Sequence, residues 1–213
     1  MENAESGERA TLHFAVFNTR AATLRVIDQP NSPRTDLAGA MTPTKAVAGV
    51  NGGYFDPEDA PVGLLVSDGR IVSRFSRARL LTGVLFATKS RVDVVRATRF
   101  AMNGQIKAAV QCGPLLVERS APVAGLNDTR RARRTFAAVD GNGRAALGVS
   151  SAVSLAQLGQ ILGRTNLGAK TRIARALNLD GGSSSAFWFA GNAGAFSIRE
   201  AKSVRDFVAI VPH

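Results

Sequence analysis

"TFAAVDGNGRAALGV", Thr135 to Val149, is the stretch whose reading decides the fold. Two apolar segments flank Asp140, Gly141, Asn142 and Gly143, and glycine paired with Asp or Asn between such segments is the strongest short-range signal of an antiparallel hairpin. The pattern predicts strands over 135–139 and 145–149. Upstream, "TLHFAVFNTRAATLRVI" at 11–27 reads as an opening pair of strands, and residues 28–44 carry enough proline and glycine to read as loop. "KAVAGVNGGYF" at 45–55 is a short strand entering Asn51. Residues 64–66 and 71–72 flank Ser67, Asp68 and Gly69 as a second hairpin. Further strands are expected at 83–87, 91–95, 108–111 and 115–117.

After the hairpin the period changes. "SLAQLGQILGR" sets Leu155, Leu158, Ile161 and Leu162 at helical spacing, with Ser154 as cap and Gly163 as stop. A second helical segment is expected over 170–176. "ALNL" at 176–179 is read as a short buried strand, and "VRDFVAIV" at 204–211 as a closing one. Strands dominate and helices are few, which predicts an α+β domain with a mixed, mostly antiparallel sheet system. The 213 residues contain no repeat and no linker rich in Pro, Gly and Ser, so a single domain over 11–213 follows an N-terminal segment, 1–10, expected to be disordered.

The formal charge is +11, with 27 Lys and Arg against 16 Asp and Glu. Such an excess attracts polyanions, phosphorylated ligands or anionic surfaces without choosing among them. "RRARR" at 130–134 reads equally as a phosphate contact or as a solvated basic loop. Aromatics are 6% of the chain and do not interleave with that run, which argues against a specific nucleic-acid partner. No window approaches the roughly 18 to 20 continuous apolar residues of a membrane span. The polar, acidic start lacks the basic region and apolar run of an export signal, so the chain is expected in the cytoplasm, or in the periplasm or secreted if a leader precedes it.

Cys112 is the only cysteine, excluding an internal disulfide. With no histidine evident nearby it reads as a buried filler. His13, in a strand, and His213, at the end, are poorly placed for a catalytic triad or a zinc site. No calcium-loop spacing is present, and no metal or cofactor is expected.

Two corners share one form, an apolar strand, a small polar residue and a glycine pair: "VNGGYF" at 50–55 and "LDGGSS" at 179–184. Glycine pairs make tight turns and also let a ligand approach the main chain. Asp180 therefore reads locally either as a turn acceptor or as a carboxylate presented to substrate, its pKa raised if its surroundings are apolar. Ser183 and Ser184 suit recognition of phosphate or sugar hydroxyls, since no nucleophile-elbow pattern surrounds them. Gln111 offers a donor and an acceptor at a strand end. One of Arg133 and Arg134 faces inward if the strand "TFAAV" begins there, where a guanidinium would suit a phosphate diester.

Taken together, "VNGGYF", "PVGLLVSDGRIV" at 61–72, "VQCGPLLV" at 110–117, "RRTFAAV" at 133–139 and "ALNLDGGSSSAF" at 176–187 resemble, in order, the motifs of the phosphodiester glycosidase family. The resemblance covers residues 14–211. It implies a hydrolase that cleaves the glycosidic bond between sugar and phosphate in a sugar 1-phosphodiester. It also implies a pocket built from Asn51, Gly52, Gly53, Gln111, Gly113, Arg134, Thr135, Asp180, Gly181 and Gly182, extended by Ser183 and Ser184. In that scheme Arg134 recognises phosphate, Asn51 and Gln111 orient ligand or water, and Asp180 acts as base or electrostatic stabiliser. Asp56, Asp59, Glu118 and Asp128 are the candidates for a second acid. Tyr54, Cys112 and Ser183 stand where the family more often has phenylalanine, a small residue and glycine. The alternatives are a non-catalytic phosphosugar or glycan-binding domain and, further off, a basic nucleic-acid-binding protein.

Overall fold

The computed structural model describes residues 9–168 and 171–213. In chain order the elements are β1 (Leu12–Asn18), β2 (Ala22–Asp28), α1 (Leu37–Met41), β3 (Ala48–Asn51), β4 (Leu65–Ser67), β5 (Arg70–Ser73), β6 (Gly83–Ala87), β7 (Val92–Arg96), β8 (Ala108–Cys112) and β9 (Leu115–Glu118). They continue as β10 (Ala121–Pro122), β11 (Ala132–Val139), β12 (Arg144–Val153), α2 (Leu155–Gly163), β13 (Arg175–Asn178), β14 (Phe187–Gly191), β15 (Gly194–Ile198) and β16 (Asp206–Pro212). Three sheets result, ordered β1-β12-β11-β13-β9-β10, β15-β14-β3-β16-β2 and β5-β4-β8-β6-β7. Every strand pair among the described residues is antiparallel.

The Asp-Gly-Asn-Gly hairpin forms as expected, Val139 opposite Ala145 and Thr135 opposite Val149. Asp140 closes its turn by accepting from the Asn142 and Arg144 amides at 2.7 and 2.9 Å. Both strands are buried on both faces, which is why they read as continuous apolar runs. Ala137, Val139, Ala145, Leu147 and Val149 enter a central core shared with Val26, Val50 and Val208 of the second sheet and Leu85, Val94 and Val110 of the third. Phe136, Ala138 and Ala146 point the other way, against Leu158 and Leu162 of α2. Leu37 and Met41 of α1 cover the outer face of the second sheet through Trp188 and Phe207. Three sheets around one core, with a helix on each of two outer faces, make a single α+β domain.

Several local expectations change. The opening strands form, but β1 pairs with β12 and β2 with β16, so "NTRAA" crosses between sheets instead of closing a hairpin. The segment 28–44 is not all loop: Asp36 accepts from the Gly39 amide at 2.9 Å and caps the one-turn α1, too short to show a period. The helix expected over 170–176 is absent from its described residues. Arg172 bridges to Asn166, and Arg175 already belongs to β13 between β11 and β9, with Ile173 buried in the α2 cluster. Tertiary pairing outweighs local propensity there. The β14–β15 hairpin, turning at Asn192 and Ala193, is an element the sequence pattern did not disclose. Of the N-terminal segment, residues 1–8 lie outside the described residues, while Ala10 is buried.

The α2 capping box is complete. Ser154 Oγ accepts from the Gln157 amide at 3.0 Å, Gln157 Oε1 accepts from the Ser154 amide at 3.0 Å, and Ser154 Oγ donates to Asp128 at 2.8 Å. Ser154→Ala is expected to lower stability by about 1–2 kcal/mol. In urea unfolding this reads as a lower midpoint with an unchanged slope.

Candidate functional site

The site grows from the buried end of β3. Asn51 Oδ1 accepts from Thr135 Oγ1 at 2.7 Å and from the Ala186 amide at 3.0 Å, while Nδ2 donates to the Asp180 carbonyl at 2.8 Å. The Asp180 amide returns a bond to the Gly52 carbonyl at 3.0 Å. The two glycine-pair corners are thus stitched to each other. Gly52 donates to the Asp206 carbonyl at 2.9 Å and Gly53 to Asp206 Oδ1 at 3.1 Å. A Cβ on Gly52 would run into the Asp206 carboxylate, so this glycine is required by close approach. Gly182 has φ of 66° with open space around it, the left-handed conformation that glycine tolerates.

Asp180 keeps partial solvent access, as do Gly181 and Gly182, and Ser183 is exposed. Asp180 Oδ1 accepts from the Gly181 amide at 2.9 Å. Burial pushes its carboxyl above the ordinary carboxylate range, offset in part by the Ser184 hydroxyl, that amide and the positive charge of Lys202. Ser184 Oγ is buried with no partner in good hydrogen-bond geometry among the described residues, yet it faces Asp180 closely enough to lower its pKa. Lys202 lies over the Phe55 ring, 4.5 Å from its centroid. Its loop is tied to the corner by the Ala201 amide, which donates to the Ser183 carbonyl at 2.7 Å.

Arg134 is 9% exposed. Nε donates to the Val153 carbonyl at 3.1 Å and Nη2 to the Arg130 carbonyl at 2.6 Å. It has no carboxylate partner among the described residues, and burial lowers its pKa. Gly181 packs against it, since a Cβ there would sit 3.8 Å from Arg134 Cδ. Arg133, half-buried, donates to the Arg199 carbonyl at 3.5 Å.

The end of β8 completes the neighbourhood. The Gly113 carbonyl accepts from Tyr54 Oη at 2.7 Å and Asn178 Nδ2 at 2.9 Å. Asn178 Nδ2 also lies 3.0 Å from the Tyr54 hydroxyl. Burial pushes the Tyr54 phenol up, and the Asp180 charge pushes it further. Cys112 is fully buried with its thiol raised by burial, the opposite of an activated nucleophile.

Gln111, expected to orient ligand or water, is turned inward. Oε1 accepts from the Leu64 and Ser76 amides at 3.0 and 2.9 Å, and Nε2 donates to the Ser76 and Leu81 carbonyls at 2.7 and 3.4 Å. That exhausts the side-chain amide, so Gln111 holds a loop instead of touching ligand. Asn51 and Thr135 likewise hold the corners from behind. Thr135 Oγ1 bonds Asn51 and lies 3.2 Å from Ser185 Oγ. The second-acid candidates are engaged elsewhere: Asp56 with the Ala60 amide, Asp59 with Arg34, Glu118 with Arg96 and Asp128 with Ser154. Among the described residues no three His, Cys, Asp or Glu side chains converge on one point as metal ligands do. None of their helices is long and apolar enough to cross a membrane.

Sequence reasoning missed Asp206, Asn178 and Lys202. The signal for Asp206 was an acid at the mouth of the apolar strand "VRDFVAIV". It is 1% exposed, and its carboxyl is pushed up to about 7 by burial, against the pull of the Gly53 amide; Asp28 and Asp180 raise it, Arg205 lowers it. Arg205 itself lies 2.8 Å from Asp28.

Residues 44–211 match the phosphodiester glycosidase family. The fold is similar to the zebrafish N-acetylglucosamine-1-phosphodiester alpha-N-acetylglucosaminidase catalytic domain, auto-inhibited by its pro-peptide. That match has a TM-score of 0.71 and 14% identity and covers 100% of this chain and 86% of that one. A hypothetical protein from Synechocystis is similar at a TM-score of 0.67 and 17% identity, over 98% of this chain and 60% of that one. At these identities the likeness is one of fold. No curated protein matches the sequence.

Asp206 makes stability depend on pH. The folded chain holds its proton up to about 7, whereas the unfolded chain releases it near the ordinary carboxyl value of about 3.9. The native state therefore binds more protons across that window, and this contribution is full below about pH 4 and lost as pH rises to about 7. Asp206→Asn keeps an acceptor for Gly53 without the buried charge. Urea unfolding at pH 5 and pH 8 is expected to show the variant gaining on the wild type at the higher pH, by on the order of a few kcal/mol.

Proposed function

Because the chain belongs to the phosphodiester glycosidase family, we propose that it is a hydrolase that cleaves the bond between the anomeric carbon of a sugar and a phosphodiester oxygen. The observation that carries this reading is Arg134, a nearly buried cation beside the Asp180 corner with no carboxylate partner among the described residues. A buried charge without a counter-ion is costly, and a phosphate supplies the missing one. Arg134 Nε and Nη2 are engaged by backbone carbonyls, and Nη1, with no partner among the described residues, is left for it. Lys202 adds a second positive charge close to Asp180.

In this reaction water attacks the anomeric carbon, and the carbon–oxygen bond to phosphate breaks with its electron pair going to oxygen. The water proton passes to the Asp180 carboxylate and on to the departing phosphomonoester. Phosphate leaves more readily than an alkoxide, so protonation of the leaving group is less demanding than in an ordinary glycoside, and one carboxylate beside two cations is sufficient equipment. The raised pKa of Asp180 makes its ionised form a stronger base. Asn51, Thr135 and the Gly52 carbonyl fix the Asp180 backbone and so aim the carboxylate.

The test is a product-resolved screen of α- and β-linked sugar 1-phosphodiesters, beginning with N-acetylglucosamine, followed by phosphorus NMR. Asp180→Asn is expected to lose about 10²–10⁴-fold in turnover while still binding the diester. Equal cleavage by wild type and variant removes Asp180 from the chemistry, and binding without cleavage by the wild type favours a phosphosugar-binding domain. The pH profile separates Lys202 from Arg134. Because Lys202 lowers the Asp180 pKa, Lys202→Met is expected to move the acid limb of kcat/KM to higher pH.

A further inference from the structure

On the outer face of the β5-β4-β8-β6-β7 sheet lies a cavity of about 710 Å³, a size typical of small-molecule sites. Phe75, Leu81, Phe100 and Met102 supply its apolar wall, and Arg77 and Arg79 stand at it. The Phe75 and Phe100 rings lie parallel with centroids 6.2 Å apart, and Phe86 meets Phe100 edge-on at 5.8 Å. Phe75 and Met102 remain 41% and 39% exposed, leaving a clustered apolar surface in water. Arg77 and Arg79 have no acidic partner among the described residues, and the chain carries no acid between Asp68 and Asp93. A hydrocarbon hollow beside unmatched positive charge is the complement of an anionic amphiphile.

A chain of contacts runs from this hollow to the Asp180 site. Gln111 bonds the Ser76 amide and carbonyl and the Leu81 carbonyl, clamping the loop that forms one side of the cavity. Two residues on, Gly113 packs so closely that a Cβ there would collide with the Leu80 carbonyl. The carbonyl of that same glycine holds Tyr54 and Asn178, and the Asp180 charge acts on the Tyr54 phenol. The inward turn of Gln111 thus sets the cavity's loop beside the Gly113 end of the site.

We propose that the cavity receives the alcohol half of the phosphodiester, and that this alcohol is a hydrocarbon chain bearing a negative charge of its own. The proposal rests on the hydrolase reading. The chain lies on Phe75, Phe100 and Met102 while Arg77 and Arg79 meet its anion, leaving the phosphate to Arg134.

The experiment compares one sugar 1-phosphate esterified to methanol, to 1-octanol and to 8-hydroxyoctanoate. Each methylene taken from water is worth roughly fourfold, so a partly buried octyl chain is expected to raise kcat/KM over methyl by about tenfold or more, with a further gain for the carboxylate. Met102→Glu is expected to collapse the octyl-to-methyl ratio toward one. The double substitution Arg77→Glu and Arg79→Glu is expected to erase the gain from the carboxylate. All three positions are exposed, so the changes leave the buried core untouched, and urea unfolding checks that each variant is folded. Equal rates on the three diesters overturn the proposal and leave the hydrolase reading standing, and a carboxylate that brings no gain overturns its charged part. If no diester is cleaved the hydrolase reading falls. The cavity is then judged by calorimetry with octyl phosphate, where binding lost in Met102→Glu supports an amphiphile site and absence of binding overturns it.

Discussion

The side chain of Asn51 is the joint on which the rest of the site depends. It sits at the end of β3 in the second sheet and reaches Thr135 on β11 of the first, the Ala186 amide and the Asp180 carbonyl. One amide therefore ties two sheets together and fixes the corner that carries the acid. Its position is fully buried, so each of these bonds forms without competition from water. Removing it would orphan the Ala186 amide and the Asp180 carbonyl, each costing about 1–3 kcal/mol when buried and unpaired, and leave the Thr135 hydroxyl with Ser185 alone. Hydrophobic burial brings the three sheets onto a common core, but it has no direction. The Asn51 bonds supply the direction that sets one glycine corner against the other.

Behind that joint the electrostatics are divided between layers. Asp206 lies under Gly52 and Gly53, fully buried and held near-neutral by desolvation, so it serves the turn as an acceptor. Asp180 lies in front with partial access to solvent, its proton affinity raised by burial and moderated by Lys202. Arg134 brings a cation with no carboxylate partner among the described residues. Two carboxyl groups in different environments take different work, one structural and one, in the proposed reaction, chemical.

How much of this was legible in the sequence depends on how local each determinant is. The Asp140 hairpin, the strand 83–87 and the Ser154-capped helix were legible because turn chemistry, alternation and capping act within a few residues. The β14–β15 hairpin and α1 escaped because neither a strong turn dipeptide nor a full helical period marks them. Over 171–176 the expected helix gives way because β9 and β11 take Arg175 and Ala176 into β13, a long-range pairing that outweighs local composition. Asp180, Arg134, Asn51 and the glycine pairs could be singled out in the sequence, but Gln111 and Thr135 could not be told from ligand-binding residues. Polar type at a strand end is the same whether the partner is substrate or the protein's own backbone.

The sequence by itself determined the class of the fold, the single core and the short list of polar residues at the glycine corners, because periodicity, turn residues and composition are properties of neighbouring positions. Only the tertiary structure decided which of those residues face solvent and which hold the scaffold. It also disclosed Asp206 and Lys202 around Asp180 and set an apolar, arginine-rimmed cavity behind Gly113. The physical reason is that burial, desolvation and hydrogen-bond partnership join positions as far apart as Asn51, Thr135 and Asp180, and nothing in a linear pattern records which of them meet.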